Sequence, residues 1–253
     1  MAEIEFLAEK DQHLLKNKTV LSKEVGEAML SKNDKVIEIG AGTGLLTARL
    51  AQKSGHVLAF EIDEKFKESL EKLQERFDNL KIVYGNALDY DWKGYNKIVS
   101  NIPYSLSESI IRKAIKSDIE EIVIITGENF KNALTGESTL GVVVNLFFEV
   151  SPIMFVSKKD FFPVPRVDSY LIKLKRKKES DKIEKVLQKI VLKEGKIKNA
   201  IMYSLVSAGK TKNQAREIIE KMSIPSQTLE KSTGKITGDF LMKLKEDFEK
   251  LEF

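Results

Sequence analysis

Two stretches of the chain hold residue types that could do chemistry. The first is Glu38-Ile39-Gly40-Ala41-Gly42-Thr43-Gly44, where three glycines alternate between an apolar run (Val36, Ile37, Ile39) and an amphipathic segment (Leu45, Leu46, Ala48, Leu50, Ala51). With no side chains above the turn, a ligand can approach the backbone, and a helix starting behind it offers unpaired N–H groups. Twenty-one residues after Gly40, Glu61 ends a second apolar run, Val57-Leu58-Ala59-Phe60. A doubly wound sheet places a carboxylate there to hold ribose hydroxyls, so the pair predicts a nucleoside-bearing cofactor. The second stretch is Ser100-Asn101-Ile102-Pro103-Tyr104, directly after an apolar run. Ligands of open α/β sheets lie beyond the carboxyl ends of the strands, which puts this turn beside the same cofactor.

Spacing narrows the cofactor. A dinucleotide loop reads G-x-G-x-x-G and cradles a pyrophosphate. This loop reads G-x-G-x-G, with Glu38 two places before its first glycine. It resembles the S-adenosylmethionine (AdoMet) loop of class I methyltransferases, whose cofactor carries a sulfonium and no phosphate. A lone G-x-G-x-G is more often a tight structural turn; Glu61 at the right distance favours the cofactor loop.

The elements that must position these residues alternate. Strands are predicted over 35–39, 57–61, 81–84, 97–100 and 121–126, and helices over 44–53, 64–77 and 105–116. A helix over 22–30 capped by Ser22 precedes them, and residues 1–20 read as a polar arm. After 127–134 and an apolar stretch over 140–150, two β-rich runs, 153–157 and 169–175, flank a proline pair and are expected to close the sheet as an antiparallel hairpin. Beyond the charged linker Lys175-Arg176-Lys177-Lys178-Glu179-Ser180 only helical periodicity remains, over 181–193, 197–208, 212–221 and 237–250. This predicts two domains, 1–178 and 179–253.

Further motifs name a family. Asn101-Ile102-Pro103-Tyr104 resembles the motif of amino-methyltransferases that act on nucleic-acid bases. Phe161-Phe162-Pro163-Val164-Pro165-Arg166-Val167-Asp168-Ser169 resembles the F-x-P-x-P-x-V-x-S signature of the rRNA adenine dimethyltransferases, and Gln12-His13-Leu14-Leu15 is similar to that family's Q-x-x-L arm. On these motifs the chain is identified as a divergent, archaeal-like member. The resemblance implies an α/β fold of the class I AdoMet-dependent methyltransferase type, a Rossmann-like, seven-stranded, mostly parallel sheet with a small all-helical C-terminal domain. It implies methyl transfer to the exocyclic amine of adenine in rRNA, with the small ribosomal subunit precursor as partner. An adenine amine is a poor nucleophile because its lone pair is delocalised into the ring; Asn101, through its side-chain oxygen, and Ile102, through its carbonyl, would hold both hydrogens and pyramidalise it. Pro103 stiffens the turn, and Tyr104 and Phe161 would stack the extruded base from two sides. The methylated ammonium loses its proton to water, so no general base is required.

The same resemblance seats the methionine end of AdoMet over Gly40, Gly42 and Gly44, near Gln12, His13, Leu14 and Glu38. It places the ribose on Glu61 beside Ile62, and the adenine beside Asn86 and Ala87, with Asn101 also touching the cofactor. Asn86 stands where the family has an aspartate that accepts from the cofactor's adenine amine, a departure that implies slightly weaker cofactor affinity. Two others bear on the substrate: Lys193-Glu194-Gly195-Lys196-Ile197-Lys198-Asn199 replaces a more basic helix, and Glu137-Ser138-Thr139 replaces Y-G-R. Two other readings therefore stay open: a non-catalytic ribosome-assembly factor that keeps the fold, and a large-subunit rRNA methyltransferase of the antibiotic-resistance type.

Composition limits the rest. The 253 residues suffice for a full core, and no apolar stretch approaches the roughly 20 residues of a membrane span, so a soluble, cytoplasmic protein is expected. Zero cysteines exclude disulfides and thiolate metal sites, and two histidines, His13 and His56, make a histidine-built metal site improbable, so no metal is expected. Nothing demands more than a monomer. Residues 1–174 hold 23 Lys and Arg against 26 Asp and Glu, whereas residues 175–253 hold 19 against 12. Positive charge thus gathers in the tail; charge alone fits a solvated lysine-rich face, and with the family resemblance the helical tail is expected to dock RNA.

Overall fold

The computed structural model describes residues 13–102 and 104–251, Tyr104 without its side chain. Gln12, Pro103 and the Tyr104 ring, three of the expected site groups, lie outside the described residues. The chain divides into two compact units, residues 1–132 with 149–176, and residues 133–148 with 177–253. The segment 133–148 thus groups with the tail helices, a discontinuity that a boundary drawn at the charged linker does not contain.

The first unit opens with β1 (Leu14–Leu15) and α1 (Lys18–Glu27). The α1 helix begins four residues before the predicted start and ends three before the predicted end. Asn17, not Ser22, is its cap: the Asn17 Oδ1 accepts from the amides of Thr19 (2.9 Å) and Val20 (3.3 Å), while the Ser22 hydroxyl donates back to the Lys18 carbonyl. An asparagine before the first turn is as good a cap as serine, and Ser22 stands a full turn inside the helix. At the far end Lys97 donates to the Ala28 carbonyl and Lys173 to that of Glu27, cations where the helix dipole is negative.

Alternation then proceeds as predicted: β2 (Lys35–Ile39), α2 (Leu45–Lys53), β3 (His56–Glu61), α3 (Lys67–Gln74), β4 (Leu80–Tyr84), β5 (Lys97–Asn101), α4 (Ser107–Ile115) and β6 (Glu121–Gly127). A helix, α5 (Glu128–Thr135), follows. The apolar stretch beyond it divides into α6 (Thr139–Phe147) and β7 (Phe148–Val156), and the short β8 (Phe161–Phe162) precedes β9 (Ser169–Arg176). The seven-stranded sheet has the order β4-β3-β2-β5-β6-β9-β7. The pairs β4/β3, β3/β2, β2/β5 and β5/β6 are parallel, and β9 runs antiparallel to β6. The two β-rich runs that flank the prolines do lie side by side at one edge. The inner strand β6 is buried along its whole length, which fits its apolar run Ile122–Ile125.

Strand order reverses between β2 and β5, and their pairing is confined to Val36 with Lys97 and Ile37 with Ile98. Beyond it the strands part. The Ser100 hydroxyl fills the break, donating to the Ile39 carbonyl (2.6 Å) and accepting from the Ile39 amide (3.2 Å). A crevice at such a switch point is where open α/β sheets bind ligands.

The second unit adds α7 (Lys182–Leu192), α8 (Ile197–Ser207), α9 (Lys212–Lys221), α10 (Ser226–Leu229) and α11 (Gly238–Lys250) to α6. Leu140 and Val144 of α6 share its buried core with Leu187, Ile201, Leu241 and Phe248. The Gly238 amide donates to the Thr139 hydroxyl (2.9 Å), and a Cβ on Gly238 would lie 3.0 Å from the Thr139 Cα, so α11 and α6 approach closely. Among the described residues no helix is long and apolar enough to cross a membrane, and no group of three His, Cys, Asp or Glu could hold a metal.

Candidate active site

The glycine turn carries φ of +81° at Gly40, +53° at Gly42 and +82° at Gly44, values that side-chain-bearing residues rarely adopt. The amides of Gly40 and Ala41 donate to the Phe60 carbonyl (2.8 and 3.0 Å), and the Gly42 amide donates to the Glu61 Oε2 (2.7 Å). The other Glu61 oxygen accepts from the amides of Ile62 (2.9 Å) and Asp63 (2.8 Å). One carboxylate therefore ties the turn after β2 to the loop after β3. The glycines do different work. A Cβ on Gly44 would lie 2.9 Å from the Leu73 side chain, so Gly44 lets α2 pack on α3, whereas a Cβ on Gly42 would lie 2.9 Å from the Leu14 side chain of the arm.

A cavity of about 460 Å³ opens above this turn, wholly within the first unit. It gathers His13, Leu14, Glu38, Gly40, Gly42, Glu61, Ile62, Asn86, Ala87, Asn101, Ile102 and Phe161 of the predicted residues; Gly44 is not part of its wall. Leu21, Leu46, Phe60, Phe66, Leu88 and Ile110 line it as well, none of them among the predicted site residues. Helical and strand periodicity marks which side chains point inward but not which of those meet a void.

Asn86 follows β4, and its Oδ1 accepts from the Leu88 amide (3.1 Å), capping the turn 87–89. Trp92, fully buried, donates its indole N–H to the Ala87 carbonyl (3.0 Å). Lys113 of α4 lies 4.8 Å from the Trp92 ring and donates to the carbonyls of Leu88 and Tyr90. This loop is held in one shape without help from a ligand.

Another wall of the cavity is built by two distant segments. β1 pairs antiparallel with β8, Leu14 opposite Phe162 and Leu15 opposite Phe161. His13 Nδ1 lies 2.9 Å from the Pro163 carbonyl, the geometry of a ring N–H donating to it. The Lys16 amide donates to the Asp160 carbonyl (2.8 Å) and the Asn17 amide group to its Oδ1 (2.8 Å). The arm thus stitches itself to the Phe-Phe-Pro corner. Register then turns Phe161 inward, 2% exposed, and Phe162 outward, 55% exposed. Across the crevice, Ile102 is buried and Asn101 half-buried at the end of β5.

Electrostatics singles out two buried acids. Burial holds the Glu38 carboxyl well above the ordinary carboxylate range, with Thr47 drawing it partly back. Glu24, which sequence reasoning missed, is fully buried on α1 and pushed up by burial to about 8. The spacing Val20, Leu21, Glu24, Val25 shows that an acid interrupts an apolar helix face, and that was its one visible signal.

Fold and cavity define the class, a Rossmann-like class I methyltransferase with its glycine turn and Phe-Phe-Pro corner on one crevice. The sequence profile of the ribosomal RNA adenine dimethylase family matches residues 7–236, and the chain belongs to that family. It is similar to a probable ribosomal RNA small subunit methyltransferase A of Methanococcus maripaludis, 33% identical over 226 residues that cover 83% of this chain and 86% of the relative. A protein of the same description from Methanopyrus kandleri is 33% identical over 83% of this chain and 81% of its own. Among solved structures, the fold resembles a dimethyladenosine transferase from Plasmodium falciparum (TM-score 0.65, 24% identity, 95% of this chain and 99% of that one). It also resembles the 23S rRNA methyltransferase ErmE (TM-score 0.65, 22% identity, 93% and 99%).

Because three backbone amides converge on Glu61, its loss should loosen the turn even with no ligand bound. Glu61→Ala is expected to lower unfolding free energy by about 1–3 kcal/mol, the cost of leaving such donors unpaired, and Glu61→Gln by less. Urea unfolding of the ligand-free protein checks this; unchanged stability of the alanine variant would show that the carboxylate does not hold the turn.

Proposed function

We propose that this chain transfers methyl groups from AdoMet to the exocyclic amine of an adenine in small-subunit rRNA, twice on the same base. The observation that carries the reading is a shared cavity. Asn101 and Ile102, at the end of β5, line the same void as the glycine turn, and Phe161 faces it from the segment stitched to the arm.

The residues present fit the cofactor. The floor at Gly42 is one that a Cβ would crowd, Glu38 and Glu61 bring acid oxygens, and Phe60, Leu88 and Ile110 supply apolar wall. Asn86 fits a neutral acceptor for an adenine amine through the remaining lone pair of Oδ1, since one is engaged by Leu88. AdoMet, when bound, supplies an electrophilic methyl on its sulfonium. The chain's own part is alignment. The Asn101 Oδ1 is buried with no partner among the described residues, so it is ready to accept one hydrogen of the amine. Ile102, through its carbonyl, would accept the other. With both held, the nitrogen lone pair leaves conjugation and points at the methyl, and the displaced proton passes to solvent. Phe161 offers a ring to the base, and Tyr104 is proposed as the opposite wall. Each stacked base is worth about 1–3 kcal/mol, comparable to the cost of flipping it out.

The small-subunit assignment rests on relatives that cover most of this chain. For the second unit we infer RNA docking. Residues 175–198 hold ten Lys and Arg against four Asp and Glu. On α8, Tyr203 is 51% exposed with the Lys193 ammonium 5.1 Å from its ring, an aromatic and cation pair of the kind that takes an unpaired base and its phosphate. Lys196 is engaged with Glu230 (2.6 Å), so the neighbouring Lys193 and Lys198 are better placed for phosphate.

Asn101→Ala tests the catalytic reading. Removing an acceptor that matters most in the transition state should cut kcat by about 10²- to 10³-fold and leave AdoMet affinity, read by calorimetry, within about twofold. Wild-type turnover on a confirmed RNA substrate would refute the amine-aligning role. Phe161 is probed better by Phe161→Leu than by alanine, because it is core as well as wall.

The docking reading predicts a steep fall of RNA affinity with salt. Replacing Lys193 and Lys198 by alanine should reduce the slope of log K against log salt by about 1.4–1.8, two phosphate contacts' worth, and Tyr203→Ala should weaken binding with the slope unchanged. An unaltered slope in the lysine variant would assign these charges to solvent.

A further inference from the structure

Phe155 is an aromatic ring that neither the core nor the mechanism above uses. It lies on β7, the edge strand of the sheet, and is 52% exposed, while its neighbour Val156 is buried. A single exposed apolar side chain is ordinary, but this one is held in orientation. Its ring meets that of Tyr170, on the adjacent strand β9, edge to face, with centroids 5.6 Å apart and an interplanar angle of 81°. Aromatic pairs favour that geometry. The Lys131 ammonium of α5 lies 4.7 Å from the centroid of the Tyr170 ring. Register places this cluster relative to the cavity. Asn101 at the end of β5 pairs with Ile125, and the next residue of β6, Thr126, pairs with Tyr170. Thr126 and Tyr170 therefore project from one face of the sheet. On that face the Thr126 hydroxyl lies 3.2 Å from that of Ser107, in the first turn of α4, and Leu106 just before it lines the cavity. Neighbouring strands lie about 4.8 Å apart, so Tyr170 is about 10 Å and Phe155 about 14 Å along the carboxyl edge from Asn101.

Charge around the ring suits an anionic strand. Residues 155–170 hold three Lys and Arg against two Asp, whereas residues 1–154 hold 19 against 24. Lys159 and Arg166 are exposed, while Asp168 accepts from the Lys158 amide and Asp160 from the Asn17 side chain. We propose that Phe155 is a stacking platform for a second unpaired base of the substrate RNA, within about four nucleotides of the target adenine, since a stacked strand rises about 3.4 Å per nucleotide. Tyr170 fixes the orientation of the ring, and Lys159 and Arg166 meet the phosphates of the same strand. A base stacked there holds the RNA beside the nucleotide that is flipped out. It stands too far from Asn101 to touch the reacting amine, so the platform serves capture of the RNA and not the chemical step. Every base has a π-face, so the platform selects unpaired RNA and not a sequence.

The inference rests on the RNA-methylation reading above, and its test keeps the two apart. The substrate is small ribosomal subunits that lack the modification. Phe155→Ser and Phe155→Leu should each raise KM about tenfold, the loss of one stacked base, with kcat, AdoMet affinity and cooperative unfolding as in wild type. Phe155→Trp should keep the wild-type KM. Leucine decides between partners, because it retains apolar area and loses the π-face. A rise in the serine variant alone would mark the face as an apolar contact with a ribosomal protein and overturn the proposal. Wild-type KM in both variants would overturn it as well, leaving the methylation reading intact. No methylation by a wild-type protein shown to bind AdoMet overturns the reading beneath, and this inference with it.

Discussion

The site depends on one bond, from the Gly42 amide to the Glu61 carboxylate (2.7 Å). The turn after β2 must leave its strand in a left-handed backbone conformation at three residues, which is entropically costly for glycine and strained for anything else. Within the turn one bond offsets part of it, from the Gly44 amide to the Ala41 carbonyl (2.9 Å). The neighbouring strand end supplies the rest: the Phe60 carbonyl takes two amides and Glu61 a third, while its other oxygen ties down the following loop. Because the clamp is anchored in parallel β2/β3 pairing, buried on both faces, the floor of the cavity is as rigid as the sheet centre.

The opposite wall is made by a different device. Where the floor uses a sheet, the Phe-Phe-Pro corner uses a two-residue strand pair that joins Leu14 and Leu15 to Phe161 and Phe162 across nearly the whole first unit. Registry of that pair decides which phenylalanine enters the crevice. The Asp160 and Pro163 contacts with Lys16, Asn17 and His13 reinforce it on both sides. An arm that is polar and aperiodic as sequence is thereby part of the site.

How much of this was legible follows from range. The alternation from β2 to β6 was readable because each element carries its own period and its own punctuation, and the glycine turn and Glu61 because their spacing is a local consequence of strand, turn and helix. The start of α1 was misread because two good capping residues, Asn17 and Ser22, lie five apart, and only the Asn17 bond to Asp160, 143 residues away, favours the first. The grouping of α6 with the tail helices was invisible for the same reason: its apolar face carries no mark of its partner. Gly44 looks like its two companions in the sequence, and only the position of Leu73 shows that it serves packing. Glu24 was legible only as an anomaly, an acid on the apolar face of a helix.

The central claim is that this cavity aligns an adenine amine for methylation. It is met most directly by incubating the protein with labelled AdoMet and small ribosomal subunits that lack the modification, then digesting the RNA to nucleosides for mass spectrometry. The account predicts label in dimethyladenosine, with monomethyladenosine as its precursor at short times. Label confined to another nucleoside, or none at all from a protein shown to bind AdoMet, would contradict it.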